Sequence, residues 1–138
     1  MRSVLVMLTL ACSLLVIGCS TGRSYHAFDS HWSLGYNDTR MGEDIWSVSY
    51  RGYEISQGEA NDYALLRASE VSTAAGYRFF AVVNEQNSNS ASGMRDALTY
   101  PEVRLTIKAY KEKPAGNGAF LDAQYLAPAI RQKYGLGR

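Results

Sequence analysis

Cysteine is scarce in this chain, and both copies lie near its start. The 138 residues contain two cysteines, Cys12 and Cys19, and three prolines. Every residue after Cys19 therefore belongs to a part of the chain that has no thiol, so no disulfide can stabilise that part. A disulfide scaffold and a cysteine-based zinc site are both excluded there, and the fold must depend on its hydrophobic core.

A surplus of charge of one sign is also missing. The chain has 14 Lys and Arg against 13 Asp and Glu, and loss of a segment that contains Arg2 would leave 13 of each. A chain without a basic surplus lacks the electrostatic signature of nucleic-acid binding, and no basic run marks an electrostatic membrane contact. We therefore predict no nucleic-acid partner.

Residues 3–22 contain no charged side chain. Apolar residues dominate from Val4 to Gly18, a length typical of a secretory signal and shorter than the roughly 20 residues of a membrane-spanning helix. This run ends in Val16-Ile17-Gly18-Cys19, which resembles the lipobox of bacterial lipoproteins. The resemblance implies cleavage between Gly18 and Cys19 and acylation of the Cys19 thiol, the palmitate-type modification that anchors this class.

Other interpretations of the N-terminus stay open. The segment could be an ordinary signal peptide with an incidental cysteine, or an uncleaved anchor, although Ile17-Gly18-Cys19 fits a small-x-small cleavage site poorly. Thr9-Leu10-Ala11-Cys12 is a rival box, but cleavage there would leave apolar residues exposed. Ser20 follows Cys19, and by resemblance to Gram-negative sorting rules this favours transfer to the outer membrane.

We predict a signal peptide over residues 1–18, a lipidated tether over 19–34 and a single small domain over 35–138. Residues 45–52 alternate apolar and polar side chains, which predicts a half-buried strand. The capping box Ser56-Gln57-Gly58-Glu59 predicts a helix over 57–75 that is ended by Gly76.

The remaining segments complete an α+β prediction. Apolar residues 77–83 predict a central strand, and alternating residues 102–111 predict a strand with a solvated or edge face, a candidate for strand addition. A short helix is expected over 122–134, with Pro128 as a kink or in its first turn. Turns or loops are expected at 35–38, 84–93 and 114–118. The predicted architecture is a two-layer, mostly antiparallel sheet with one long helix packed on a face and a short C-terminal helix.

Short motifs between residues 35 and 83 resemble a known family. They are Gly35-Tyr36-Asn37-Asp38-Thr39-Arg40, Trp46-Ser47-Val48-Ser49-Tyr50-Arg51-Gly52, Leu65-Leu66-Arg67-Ala68-Ser69-Glu70 and Gly76-Tyr77-Arg78-Phe79-Phe80. In this order they resemble the small proteobacterial envelope lipoproteins of uncharacterised function in the family named after two Caulobacter lipoprotein loci. Tyr53 and Ser69 depart from the family pattern, which has Asn and Ala there. The resemblance implies an envelope lipoprotein and supplies no catalytic residues.

Two charged clusters could carry chemistry. Arg67 and Glu70 lie one helical turn apart, and an ion pair that seats the helix is the expected arrangement. The charges of residues 38–44, which include Arg40 and Asp44, are expected in a solvated loop, since no histidine or nucleophile accompanies them. A small-molecule site around these residues is the alternative.

Histidines and tyrosines offer weaker candidates. His26, Asp29 and His31 could bind a metal, but their place behind the anchor favours a tether with incidental histidines. The tyrosines could line a groove for a glycan or a peptide, although packing in the core and on the sheet explains their alternation. They are Tyr36, Tyr50, Tyr53, Tyr63, Tyr77, Tyr100, Tyr110, Tyr125 and Tyr134.

The sequence therefore predicts a non-catalytic lipoprotein, anchored at Cys19, without cofactor or metal. We expect it in the cell envelope, at the outer membrane and facing the periplasm, where it would present its domain to an envelope protein or a peptidoglycan partner. The alternative is a small periplasmic ligand-binding protein or enzyme with a site around Arg67, Glu70 and residues 38–44.

Overall fold

The structure, a computed structural model, describes residues 25–91 and 99–137. The predicted signal peptide (residues 1–18), the cleavage site at Gly18 and Cys19, and residues 19–24 of the predicted tether lie outside the described residues. Within the described ranges, no helix is both long enough and apolar enough to cross a membrane.

The described part of the chain forms one sheet and two helices. The elements are β1 (Gly35–Arg40), β2 (Ile45–Arg51), α1 (Gln57–Ala74), β3 (Phe79–Ala91), β4 (Thr99–Tyr110), β5 (Leu121–Asp122) and α2 (Ala123–Lys133). The sheet order is β1-β2-β4-β3-β5, and each neighbouring pair is antiparallel. The predicted α+β class is confirmed, with one long and one short C-terminal helix.

Strand β2 and helix α1 form the centre of the core. Trp46, Val48 and Tyr50 alternate along β2 and are buried, as the sequence pattern predicts. The helix buries small residues against them, which lets its backbone come close to the sheet. These small buried residues are Ala60, Ala64, Ala68, Ser69 and Ser72.

Both ends of α1 are set by local sequence. The Ser56 hydroxyl accepts the Glu59 amide at 3.0 Å, and the Glu59 carboxylate accepts the Tyr63 hydroxyl at 2.8 Å. Gly76 has a φ of +85°, and its amide donates to the Thr73 carbonyl at 3.0 Å. Glycine adopts this left-handed conformation without a steric cost, so the predicted C-terminal signal is confirmed.

Strand β4 lies in the middle of the sheet, between β2 and β3. The prediction of an edge over residues 102–111, open to strand addition, is therefore wrong. The charges alternate along β4 because Glu102, Arg104 and Lys108 project from the face opposite the helices, while Val103 and Leu105 are buried beneath α1. Alternation reports which face a side chain occupies, and it does not report whether the strand has a neighbour on each side.

Strand β3 continues much further than the sequence predicts. Residues 84–91, predicted as part of a loop, pair with β4 from Thr106 to Thr99. The register shifts between Val82 and Asn84, which lets the strand run on as a polar ribbon. The segment 77–83, predicted as a central strand, pairs on its second side with β5 only at Phe79 and Phe80.

The first strand also replaces a predicted turn. Residues 35–38 begin β1, which pairs with β2 over its full length. Residues 25–34, placed in the tether by the sequence, also lie against the domain. The Phe28 amide donates to the Tyr36 carbonyl and the Tyr36 amide to the His26 carbonyl, each at 2.8 Å. Within the described residues, contacts with the domain therefore reach back from residue 35 to Tyr25.

The C-terminal helix follows its predicted bounds closely. Asp122 caps α2 and accepts the Gln124 amide at 3.0 Å, and the Arg78 guanidinium binds the same carboxylate at 3.0 Å. Arg78 holds the pKa of Asp122 below its usual value. Pro128 lies inside the helix and not in its first turn. Gly135, at a φ of +62°, follows the C-terminal end.

Candidate functional site

One carboxylate, that of Glu70, joins three parts of the chain on the helix side of the sheet. It accepts the Tyr25 hydroxyl at 2.5 Å and the Arg67 guanidinium at 3.3 Å. The guanidinium of Arg131, on α2, also donates to it. Arg67 in turn donates to Asp38 of β1 at 2.6 Å. We refer to Tyr25, Asp38, Arg67, Glu70 and Arg131 as the Glu70 network.

The Glu70 network is partly buried, and the pKa values of two of its donors, Arg67 and Tyr25, are raised. Burial acts to lower the pKa of Arg67, but the hydrogen bond and charge of Asp38, with the hydrogen bond to Glu70, outweigh it and raise the pKa. Burial, followed by the hydrogen bond to Glu70, raises the pKa of Tyr25. The Arg67 guanidinium also lies over the Tyr36 ring, 4.4 Å from its centroid, in a cation–π contact. Arg67 and Tyr25 therefore both remain protonated donors. The network can thus act as a clamp, by which we mean that it holds Tyr25 and α2 to α1.

The predicted i,i+3 pair between Arg67 and Glu70 is present, but residues 38–44 do not gather around it as one loop. Asp38 belongs to β1 and reaches Arg67. Arg40 instead donates to the Gly42 carbonyl at 3.0 Å, and Asp44 lies 3.8 Å from Lys108. Arg40 is therefore engaged within the β1–β2 turn and Asp44 by β4, and Asp38 is the member that meets the helix.

The histidine cluster makes local contacts. His26 Nδ1 lies 2.8 Å from the Ala27 carbonyl oxygen, and the His31 amide donates to the Asp29 carboxylate at 2.8 Å. Over residues 25–91 and 99–137, no group of three His, Cys, Asp or Glu side chains is placed to hold a metal ion. The contacts that do occur stabilise the turn that precedes β1.

Most of the tyrosines near α1 pack against one another. Tyr50 and Tyr63 have ring centroids 5.0 Å apart, and Tyr63 and Tyr134 have the same separation. Tyr25 lies 5.5 Å from Tyr63 and 4.8 Å from Tyr36. The tyrosines therefore fill the helix–sheet interface, which is the packing role that their alternation favours.

The opposite face of the sheet is open and polar, and it forms the second candidate site. Alternate residues of four strands project from it, because side chains of neighbouring strands in register share a face. Its central residues are Asn37 and Thr39 from β1, Ser47, Ser49 and Arg51 from β2, Glu102, Arg104 and Thr106 from β4, and Gln86 and Ser88 from β3. We call this surface the open face.

Arg104 lies at the centre of the open face. Its side chain lines three adjoining depressions, with volumes of about 300, 320 and 120 Å³. The depression of about 300 Å³ is bounded by Phe28, in the loop before β1. The depression of about 320 Å³ is bounded by Gln86 of β3. Glu102 holds the Arg104 guanidinium at 3.2 Å. This arrangement offers hydroxyl, amide and guanidinium groups, which suit hydrogen bonding to a polar partner.

The sequence signals for the open face were present in part. The polar half of each alternating pattern, in residues 45–52 and 102–111, predicts a solvated face. The contributions of β1 and β3 were missed, because their Asn, Asp and Ser residues have turn-like propensities. Tyr25 and Arg131 of the Glu70 network were also missed, since they lie 45 and 61 residues from Glu70 and carry no local signal.

The described residues thus define a small two-layer α+β domain with a clamped helix face and a polar open face. No protein-family model, curated protein or solved structure matches the chain. The resemblance to the Caulobacter-named lipoprotein family therefore rests on the motifs between residues 35 and 83.

Replacement of Glu70 by Gln should destabilise the domain, because it leaves the partly buried Arg131 without its anionic partner and leaves Arg67 with Asp38 alone. We expect the free energy of unfolding to fall by about 1–3 kcal/mol, the range for leaving a buried hydrogen-bonding group without its partner. Urea unfolding followed by circular dichroism measures this. Glu85→Gln, on exposed β3, is the matched control and should change stability by less than about 0.5 kcal/mol. Equal effects of the two substitutions would contradict the clamp.

Stability should also fall in alkaline solution. Burial, as the largest cause, raises the pKa of Tyr25, Tyr50 and Tyr63 above the ordinary value of 10.0. Since the folded-state values exceed the unfolded ones, the stabilisation is complete below pH 10 and is lost as the pH rises above it. Tyr25→Phe should reduce the slope of stability against pH, and Tyr125→Phe should not. Tyrosinate absorbance that appears fully before the circular dichroism changes would argue against buried tyrosines.

Proposed function

We propose that this protein is a bacterial envelope lipoprotein, anchored by lipid on Cys19. The observation that carries the proposal is the uncharged segment of residues 3–22, with its apolar run ending in Val16-Ile17-Gly18-Cys19. A run of this length suits a cleaved signal, and acyl chains on the thiol contribute about 0.8 kcal/mol per buried methylene to anchoring. Ser20 supports a location at the outer membrane.

Two features of the domain are consistent with this anchor. Both cysteines precede Tyr25, so the described fold contains no cysteine that could form a disulfide with Cys19. Tyr25 follows Cys19 by six peptide steps, which span at most about 22 Å when fully extended. An acylated Cys19 would therefore keep the domain close to the bilayer.

The domain is proposed to be non-catalytic and to present its open face to an envelope protein or to peptidoglycan. Hydroxyl, amide and guanidinium groups around Arg104 can bind the hydroxyls of a glycan or the carboxylates of a peptide. On the helix side, each charged member of the Glu70 network has an opposite charge as its partner. This mutual pairing supports a structural role for Arg67 and Glu70 rather than the alternative enzyme or ligand-binding site.

Metabolic labelling with palmitate tests the anchor. The wild-type protein should take up label, and Cys19→Ala should lose it because the acceptor thiol is gone. Cys12→Ala is the matched control and should keep the label, since Cys12 lies in the segment that is removed. Equal labelling of wild type and Cys19→Ala, or labelling that depends on Cys12, would refute the proposed site.

Site-specific photocrosslinking in intact cells tests the open face. A crosslinker that replaces Ser49 should capture an envelope protein or peptidoglycan fragments, and Arg104→Ala should reduce the yield severalfold by removing the central guanidinium. Lys113→Ala, an exposed charge outside this face, should leave the yield unchanged. Capture from a crosslinker at Tyr125 on α2, with none at Ser49, would place the binding surface on the helix side and overturn this part of the proposal.

A further inference from the structure

Two aromatic side chains are exposed in the loop that joins Tyr25 to β1. Trp32 is 69% exposed and Phe28 is 49% exposed, whereas Trp46, in the core, is 5% exposed. Tryptophan is on average a highly buried residue, so this pair of exposed aromatic side chains is a candidate contact surface. We call residues 26–34 the anchor-proximal loop.

Backbone hydrogen bonds fix the anchor-proximal loop to the domain. The Phe28 amide donates to the Tyr36 carbonyl at 2.8 Å, and the Asp29 amide donates to the Leu34 carbonyl at 2.9 Å. His31 packs edge-on against Trp32, with ring centroids 4.9 Å apart. The aromatic rings are therefore presented from a defined position on the domain, next to the start of β1.

Chain length places this loop beside the proposed anchor. The Tyr25 hydroxyl donates a hydrogen bond to Glu70 of α1. Cys19 lies only six peptide steps before Tyr25, and these steps span at most about 22 Å. The domain itself has a radius of gyration of roughly 13 Å for its size. An acyl chain on Cys19 would thus hold the anchor-proximal loop within reach of the lipid headgroups.

We propose that the anchor-proximal loop docks on the membrane surface, with Trp32 and Phe28 among the lipid headgroups. The inference rests on the proposed anchor at Cys19. The indole ring combines an apolar body with an N–H donor, and this is the reason that tryptophan accumulates at membrane–water interfaces. Two aromatic rings bind a bilayer weakly on their own, but tethering through lipid converts their insertion into an intramolecular step at high effective concentration.

Quenching of tryptophan fluorescence by brominated lipids tests the docking. The mature protein, purified from membranes with the lipid on Cys19 verified by mass spectrometry, is reconstituted in vesicles of phosphatidylethanolamine and phosphatidylglycerol with and without brominated acyl chains. We expect strong quenching of the wild-type protein and little quenching of Trp32→Phe, which retains only the buried Trp46. Trp32→Phe combined with Tyr125→Trp is the matched control, since Tyr125 is 75% exposed on α2. That tryptophan should stay unquenched.

A second arm separates this inference from the proposed anchor. Cys19 is the only thiol from residue 19 onward, so a chain of residues 19–138 can be coupled through it to a maleimide lipid, whether or not cells acylate it. Quenching of Trp32 in this tethered protein supports the docking even if mass spectrometry finds no native lipid, an outcome that removes only the proposed anchor. Quenching of Trp32 no stronger than that of the tryptophan at position 125, in either lipid-linked form, overturns the docking.

Discussion

The carboxylate of Glu70 holds together segments that are far apart in the sequence. Its donors are Tyr25, Arg67 and Arg131, at separations of 45, 3 and 61 residues. A partly buried carboxylate is costly to desolvate, and only a nearly complete set of donors offsets that cost. The positions of α2 and of the segment before β1 are therefore coupled, because displacement of either one removes a hydrogen-bond donor from the same carboxylate. Asp62, which accepts Lys133 and Tyr134, adds a second link between the helices.

This clamp explains why the two faces of the sheet differ. The helices and the segment at Tyr25 all gather on the face that carries Trp46, Val48 and Leu105, so the apolar half of each strand is covered there. The polar half is left to solvent on the other side, where hydroxyls and amides need no protein partner. The open face is thus a direct consequence of alternation combined with helices confined to one layer, and it leaves Arg104 accessible to a partner.

Local patterns predicted the elements whose sequence signals lie within the element itself. The alternation at residues 45–52 and the capping signals of α1 report on neighbouring residues, and both predictions are confirmed. Strand β1 and the second half of β3 were predicted as turn or loop because Asn, Asp and Ser satisfy their own backbone locally in short peptides. In the fold, the ladders with β2 and β4 supply those hydrogen bonds instead. Pairing between distant strands is a tertiary property, so propensity alone could not reveal it.

The two proposed surfaces also constrain each other. Phe28 belongs to the anchor-proximal loop and also lines one of the depressions around Arg104, while Gln86 and Ser88 line the depression on the β3 side. If the loop lies on lipid, the end of the open face near Phe28 is turned toward the membrane and the β3 ribbon is turned away from it. A partner would then reach Arg104 across the β3 side. This geometry favours an extended partner, such as a glycan strand or a peptide, that lies across the strands and ends before the headgroups.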